Sequence, residues 1–477
     1  MKGSAAHKRN QSGQRCVLGR HSMRGTRLVL GGIVAALLCM PIPSHAASSR
    51  CDPVTYGARH DGRTNDGPAI QRAITACSEA GGGMVSLTSG TWLSGPLSLK
   101  NHVTLNLGQG STLLGSSDTR LFHWAFLGKA AQPGEALVSA IDVQDVAITG
   151  QGHIDGNGAA VWWPQAVRAH KTQTSGPLPY GPDYPGVPAA NGLPRPWLIE
   201  FSHVQHGRIS GVTATNSPMW TVVVRESSQI KIDHLTIRNP ASSRNTDGID
   251  LVSSDHVTMS TLDIATGDDN IAIKSGLRQP GRAVSDISIT QSRFGEGHGL
   301  SIGSELANGA HHIRISDVSF QNTLSGLRIK SGRDRGGDIG WISAEHVMMN
   351  HVRAPLSISD YYAGQPGGTQ KTVSMTDPAA PVTSTTPHIH DVTITDLTAK
   401  NAETAGVVLG LPEAPIEGLT LRNIRLSARK GLQFSHVSGR ASESTFAVQT
   451  APVLQCGSAV HIDGSDLRCP DERSVHE

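Results

Sequence analysis

Beyond residue 230 the chain alternates apolar and polar residues in short bursts. One ladder reads Ile230-Lys-Ile232, Val257-Thr-Met259, Ile287-Ser-Ile289 and Ile313-Arg-Ile315, and returns at Val392-Thr-Ile394 and Leu419-Thr-Leu421. From Ile232 the steps to Met259, Ile289 and Ile315 are 27, 30 and 26 residues. A second ladder runs in phase: Ile249/Leu251, Ile271/Ile273, Leu300/Ile302 and Leu327/Ile329. Period-two alternation rich in Val, Ile and Thr marks strands, and Gly, Asn, Asp and Ser between them mark turns. Self-similarity at this period, with no amphipathic helix inside the unit, predicts an all-β, single-domain parallel β-helix.

Stacked coils lie about 4.8 Å apart, so residues in one alignment column become spatial neighbours. Alternation then fixes direction. The paired aliphatics of the second ladder share one parity and fill the interior. Asp250, Lys274, Arg328 and Lys330 have the other parity and point outward. Asp247, Asp269 and His298 fall in one column at the mouth of these strands, with Asp268 one residue earlier on its coil.

Along the chain, residues 47–100 read as an N-terminal cap with the first coils, 101–440 as the β-helix and 441–477 as a C-terminal cap. Asp66 is placed to N-cap a helix in which Ile70, Ala73, Ile74 and Cys77 line one face, and Gly81-Gly82-Gly83 ends it. Strands are expected at Met84–Leu87, Val103–Leu107 and Val146–Ile148. Two stretches break the rhythm. Trp162–Pro194, a long loop with Trp162, Trp163, Tyr180 and Tyr184, is expected to wall a cleft, and Ala363–Pro387 follows Tyr361-Tyr362. Coils should return from His388 to about Phe434.

The N-terminus changes the charge picture. Arg24 and Arg27 precede an apolar run from Leu28 to Met40, and Ser44-His45-Ala46 has the form of a cleavage site. This reads as a signal peptide over residues 1–46, with Met1 or Met23 as the start; the run is short for a membrane anchor. That segment carries seven Lys and Arg and no acid, so the formal charge of +2 becomes about −5 without it. No basic field remains for nucleic acid. Four cysteines stay in the remainder, one close pair at each end, and in an exported chain they read as disulfides Cys51–Cys77 and Cys456–Cys469. The expected location is extracellular or periplasmic.

Asp247, Asp268 and Asp269 lie within 23 residues of one another. Carboxylates in adjacent turns suit general acid–base work. Inverting glycoside hydrolysis needs an acid and a base about 6.5–9.5 Å apart, with water between. His298 is one coil away and could tune the acid's proton. Arg328 and Lys330 would grip an anion beside it. The column suits an acidic sugar. Two other readings exist. Any one Asp here could be a turn residue bonding its own backbone, and clustered aspartates also suit a calcium ion, as an elimination enzyme would require.

Four phrases stand in order: Asn245-Thr246-Asp247, Gly267-Asp268-Asp269, Gly297-His298-Gly299 and Arg328-Ile329-Lys330. At these residues the sequence resembles the polygalacturonases of glycoside hydrolase family 28, and Arg244–Asp250 and Ile264–Asn270 look most like bacterial pectin-degrading members. The resemblance covers roughly residues 50–430. It implies a right-handed, pectin-lyase-like β-helix and inverting hydrolysis of α-1,4-linked galacturonate. Asp268 would be the general acid, Asp247 and Asp269 would activate water, and His298 would assist protonation of the acid. Asn245, Arg328, Lys330 and Tyr362 would bind substrate, with Tyr361 the neighbouring alternative for the tyrosine. No cofactor or metal is implied. The expected partner is polygalacturonate or pectin, acted on by a monomer, without nucleic acid or membrane. The phrases favour endo action. The alternatives are an exo-acting enzyme releasing mono- or digalacturonate, a glycan-binding β-helix without turnover, and a calcium-dependent lyase.

Overall fold

Three short strands make each coil. At one coil the chain runs Ile249–Val252, turns at Ser253-Ser254, and runs Asp255–Ser260 and then Asp263–Ala265. It crosses Thr266–Asn270 and begins the next coil at Ile271–Lys274. The strands pair in parallel with their counterparts one coil away. This computed structural model describes residues 51–172, 195–277, 279–362, 377–464 and 467–469. The predicted signal peptide, Tyr180, Tyr184 and residues 363–376 lie outside the described residues. The architecture is a right-handed parallel β-helix.

Register is continuous along the first sheet: Val222, Ile249, Ile271, Leu300, Leu327 and Leu356 stand in one row. All eight aliphatics of the predicted inward set are buried. Burial of one such side chain contributes about 1.5–3 kcal/mol. The core is therefore a thin aliphatic column along the axis, with the Phe294 and Phe320 rings tilted against each other, their centres 4.9 Å apart. From Val284–Phe294 onward the second and third strands merge into one long bent strand.

The corners have a rule of their own. Asp145, His206, Gln229, His256, Asp286, His312, Trp341 and Asp391 all have φ between 50° and 58°. The first seven each follow a residue in one register row, Gln144–Gln205–Ser228–Asp255–Ser285–His311–Gly340. Left-handed backbone is tolerated best by Asn, Asp and His among side-chain-bearing residues. That accounts for many of the chain's acidic and histidine residues as turn formers.

The cap helix forms over Gly67–Glu79 and buries Ile70, Ala73, Ile74 and Cys77 as predicted. Its N-cap differs from expectation. The Asp66 carboxylate makes no bond to the helix and instead accepts from the backbone of Arg59 (2.7 Å) and His60 (2.9 Å). The preceding turn competes successfully for the same oxygens. Both predicted disulfides are present. Coils continue past Phe434 to Val460–Asp463. Among the described residues no helix is long and apolar enough to cross a membrane.

The first irregular stretch opens as a helix, Trp162–Thr172, rather than as the expected loop. Two tryptophans anchor it. Trp162 meets Phe122 edge-on at 5.6 Å, and Trp163 Nε1 donates to the Ser217 carbonyl at 2.9 Å. Composition alone, with Pro and Gly further along, hid a short helix fixed by these contacts.

Candidate active site

The turns before the first-sheet strands are stapled to one another. Thr246 is buried, and its hydroxyl accepts from the Gly267 N–H (3.1 Å) and pairs with Ser243 Oγ (2.8 Å). A side chain at position 267 would place Cβ 1.9 Å from the Ser243 carbonyl, so only glycine fits. Asn270 ties the next two turns. Its Oδ1 accepts from Gly299 N (2.9 Å) and its Nδ2 donates to the Glu296 carbonyl (3.0 Å). His298 N donates to the Asp268 carbonyl at 2.8 Å. The small polar residues within the four phrases are thus scaffolding for their charged neighbours. Asn245, at φ 55°, offers Oδ1 to Arg195 Nη2 at 2.8 Å.

Register places Asp247, Asp269 and His298 in one column, as predicted. His298 Nδ1 lies 2.9 Å from Asp268 Oδ1 and 3.8 Å from Asp269 Oδ1. Arg328 and Lys330 come from the following coil and converge on Asp269. Lys330 Nζ is 2.7 Å from Oδ2, and Arg328 pairs with Oδ1. Ser301 Oγ donates to the same Oδ1 at 3.0 Å and accepts from Arg328 Nε at 2.8 Å. The tyrosines separate: Lys330 Nζ is 5.2 Å from the ring centre of Tyr362, while Tyr361 lies under Arg333.

Asp247 and Asp269 share a column but have opposite environments. Burial, then the carboxylates of Asp268 and Asp250, push the Asp247 carboxyl well above the usual range. Its Oδ1 has no hydrogen-bond partner. Burial also works to raise Asp269, but Arg328 and Lys330 outweigh it and hold that carboxylate well below the usual range. Equivalent by position in the column, the two carboxyls are shifted in opposite directions by their surroundings. Burial opposes a charge on His298, and the hydrogen bond to Asp268 more than restores it, so its pKa is raised.

A second charged group lies beside the column. Asp250 and Lys274 point outward as predicted, yet both are buried. Lys274 Nζ is 3.1 Å from Asp250 Oδ1, 3.5 Å from Glu305 Oε2 and 4.0 Å from the Trp220 ring centre. Burial works against the ammonium, but Glu305, Asp250 and Asp247 hold its pKa well above the ordinary value. Burial moves Asp250 up to about 7 although Lys274 opposes it. Glu305 and Trp220 were not singled out from sequence; Trp220 occupies the column of Asp247 one coil earlier, which the alternation could have shown.

Asp268, Asp269 and His298 present atoms close enough to share a cation. The chemistry of Asp269 argues against it, because two protein cations already occupy both of its oxygens. A calcium ion there would meet like charge.

Upstream of the column a second, smaller apolar cluster forms, with Leu127 packed against it. Ala125 and Ala136 pack with Trp197, Met219, Trp220 and Val223. Beneath them Arg225 pairs with Glu200 (2.6 Å) and Glu135 (3.1 Å), and Lys129 also pairs with Glu135.

Residues 183–444 match the family described as Glycosyl hydrolases family 28. The chain is 31% identical over 388 residues to an endo-polygalacturonase of Pectobacterium parmentieri, covering 77% of this chain and 86% of that protein. Among solved structures, it resembles a polygalacturonase from Erwinia carotovora ssp. carotovora with 28% identity and a TM-score of 0.62, covering 83% of this chain and 94% of that one. A family 28 exopolygalacturonase of Yersinia enterocolitica shares the fold at 21% identity and a TM-score of 0.70, covering 88% of this chain and 79% of that one.

Proposed function

The chain belongs to family 28 of the glycosyl hydrolases and is a polygalacturonase; from that premise we infer that it cuts polygalacturonate internally, with inversion, through Asp268, Asp247, Asp269 and His298. The observation that carries this reading is the convergence of three acids, an imidazole and two cations on one outer patch of adjacent coils.

Asp268 is the general acid. Of the three acids it is the one that is only half-buried, and His298 touches its Oδ1. It protonates the leaving glycosidic oxygen while a water attacks the anomeric carbon from the opposite face. Asp247 accepts the proton of that water, and Asp269 remains an anion that orients Arg328, Lys330 and the water. Arg328, Lys330 and Tyr362 then hold the galacturonate carboxylate, with Asn245 at the rim.

The proton inventory closes on this scheme. After bond cleavage Asp268 has lost a proton and Asp247 has gained one. A water donating to Asp247 Oδ1, which has no hydrogen-bond partner of its own, would favour the ionised form that this step needs, against the upward push of burial.

The second reading is exo action. It is favoured by Ala125 and Leu127, which pack in one cluster with Trp220, the residue in the Asp247 column one coil earlier, and would limit the groove there. Export through an oxidising compartment agrees with the two terminal disulfides. A time course of products from polygalacturonate tests the reading: mixed oligomers early support endo action, and monomer or dimer alone supports exo. Ultraviolet-absorbing unsaturated ends would overturn hydrolysis in favour of elimination.

A further inference from the structure

Histidines on a second face of the solenoid form a group that the hydrolytic site does not use. Asp338 opens the strand Asp338–Asn350, and His388 stands opposite it in register on His388–Ile389. Asp338 Oδ1 lies 3.0 Å from His388 Nδ1 and 3.2 Å from His390 Nε2. The other carboxylate oxygen is 3.3 Å from His311 Nε2. We propose that Asp338, His388 and His390 bind a divalent transition-metal ion, zinc above all, and that the ion staples the strand Asp338–Asn350 to the strand that follows the second irregular stretch.

The separations suit such an ion. The three ligand atoms lie within 4.8 Å of one another. Zinc bonds to nitrogen and oxygen are about 2.0–2.2 Å, which sets neighbouring ligand atoms of a tetrahedron roughly 3.3 Å apart. Two imidazoles and a carboxylate leave one position for water, and nitrogen ligands select zinc and its neighbours over calcium or magnesium.

The outer contacts orient the ligands. His390 Nδ1 is 2.9 Å from Asp391 Oδ2, which fixes the ring with Nε2 turned toward Asp338. His388 Nε2 lies 3.9 Å from Glu417 Oε2. A carboxylate hydrogen-bonded behind a ligating imidazole, as Asp391 is behind His390, is the arrangement that sets tautomer and basicity at zinc sites. Trp341 covers the group edge-on, 4.7 Å from the His390 ring.

The backbone leaves room for the group. Gly340 stands opposite the His390 row, and a Cβ there would lie 2.2 Å from His390 Cε1. These histidines are also not turn formers. His206, His256 and His312 sit at positive φ, whereas His311, His388 and His390 do not. Asp338 and His388 are 50 residues apart in sequence, and only the stacking of coils joins them.

The test uses full-length protein and zinc ion alone. Equilibrium dialysis should show about one equivalent bound in the wild type. His388→Ala and His390→Ala should each weaken binding by at least about 10–100-fold. Asp268→Asn, which alters the other His–Asp cluster, should retain it. Zinc should raise the melting temperature of the wild type and of Asp268→Asn but not of the histidine variants. If those variants fail to fold, cobalt substituted into the wild type should give the intense visible bands of a four-coordinate site with nitrogen ligands. The proposal is overturned by no binding up to on the order of 100 µM zinc, by unchanged binding in both histidine variants, by loss of binding in Asp268→Asn alone, or by a cobalt spectrum of the hydrated ion.

Discussion

Lys330 reaches back across two coils to Asp269: its Nζ is 2.7 Å from Oδ2, although 61 residues separate the pair in sequence. Together with Arg328 it keeps Asp269 anionic in a buried place. Lys330→Met removes one charge-assisted contact while Arg328 remains. A contact of that kind contributes about 1.5–3 kcal/mol, so kcat/KM on polygalacturonate should fall about 10- to 100-fold. Steady-state kinetics check this, and an unchanged kcat/KM would remove Lys330 from the site.

Asp268→Asn keeps the shape of the general acid but cannot donate its proton. Turnover should drop by about 10²–10⁴-fold, while oligogalacturonate binding, read by calorimetry, stays within a few-fold. Substantial remaining turnover would reject Asp268 as the acid.

The pH profile should expose His298. Its folded pKa stands above the ordinary value, so its charged contact with Asp268 is complete below that ordinary value and is lost as pH rises through the folded one. kcat/KM should therefore fall on the alkaline side, with a midpoint above about 6.5. His298→Gln should remove that limb. If the limb persists in His298→Gln and moves in Asp250→Asn, then Asp250, raised to about 7, carries it instead.

Arg225 sits between two fully buried carboxylates, Glu200 and Glu135. Arg225→Ala would leave them facing each other without their guanidinium. Such a loss costs about 3–5 kcal/mol, and denaturant titration of the folded protein should show it.

Alternation made the coil register legible, and register alone predicted that Asp247, Asp269 and His298 share a column. It also predicted the inward set from Ile249 to Ile329, while the spacing of the cysteines in an exported chain predicted both disulfides. What sequence could not supply was environment. Asp247 and Asp269 look equivalent in the column; their pKa values are shifted in opposite directions because burial dominates at Asp247 while Arg328 and Lys330 of a later coil reach Asp269. Asp250 and Lys274 were assigned outward correctly, but their burial depends on Trp220 and Glu305 from other coils. Asp66 was read as a helix cap because the local pattern fits, whereas the backbone at Arg59 and His60 lies close enough to take its oxygens. Tyr361 and Tyr362 are adjacent, and only the folded turn shows which of them meets Lys330.

The single left-handed residue repeated at one corner of every coil has a bearing on how this chain can change. It holds register within a coil: a residue added or lost inside the strand Ile249–Val252 would turn that burst of alternation inside out, whereas the turns take up extra residues, as coil steps of 27, 30 and 26 residues show. Changes of length are thus confined to whole windings or to the turns between strands, and the hydrolytic groove can be reshaped by decorating its rim but not by sliding its floor.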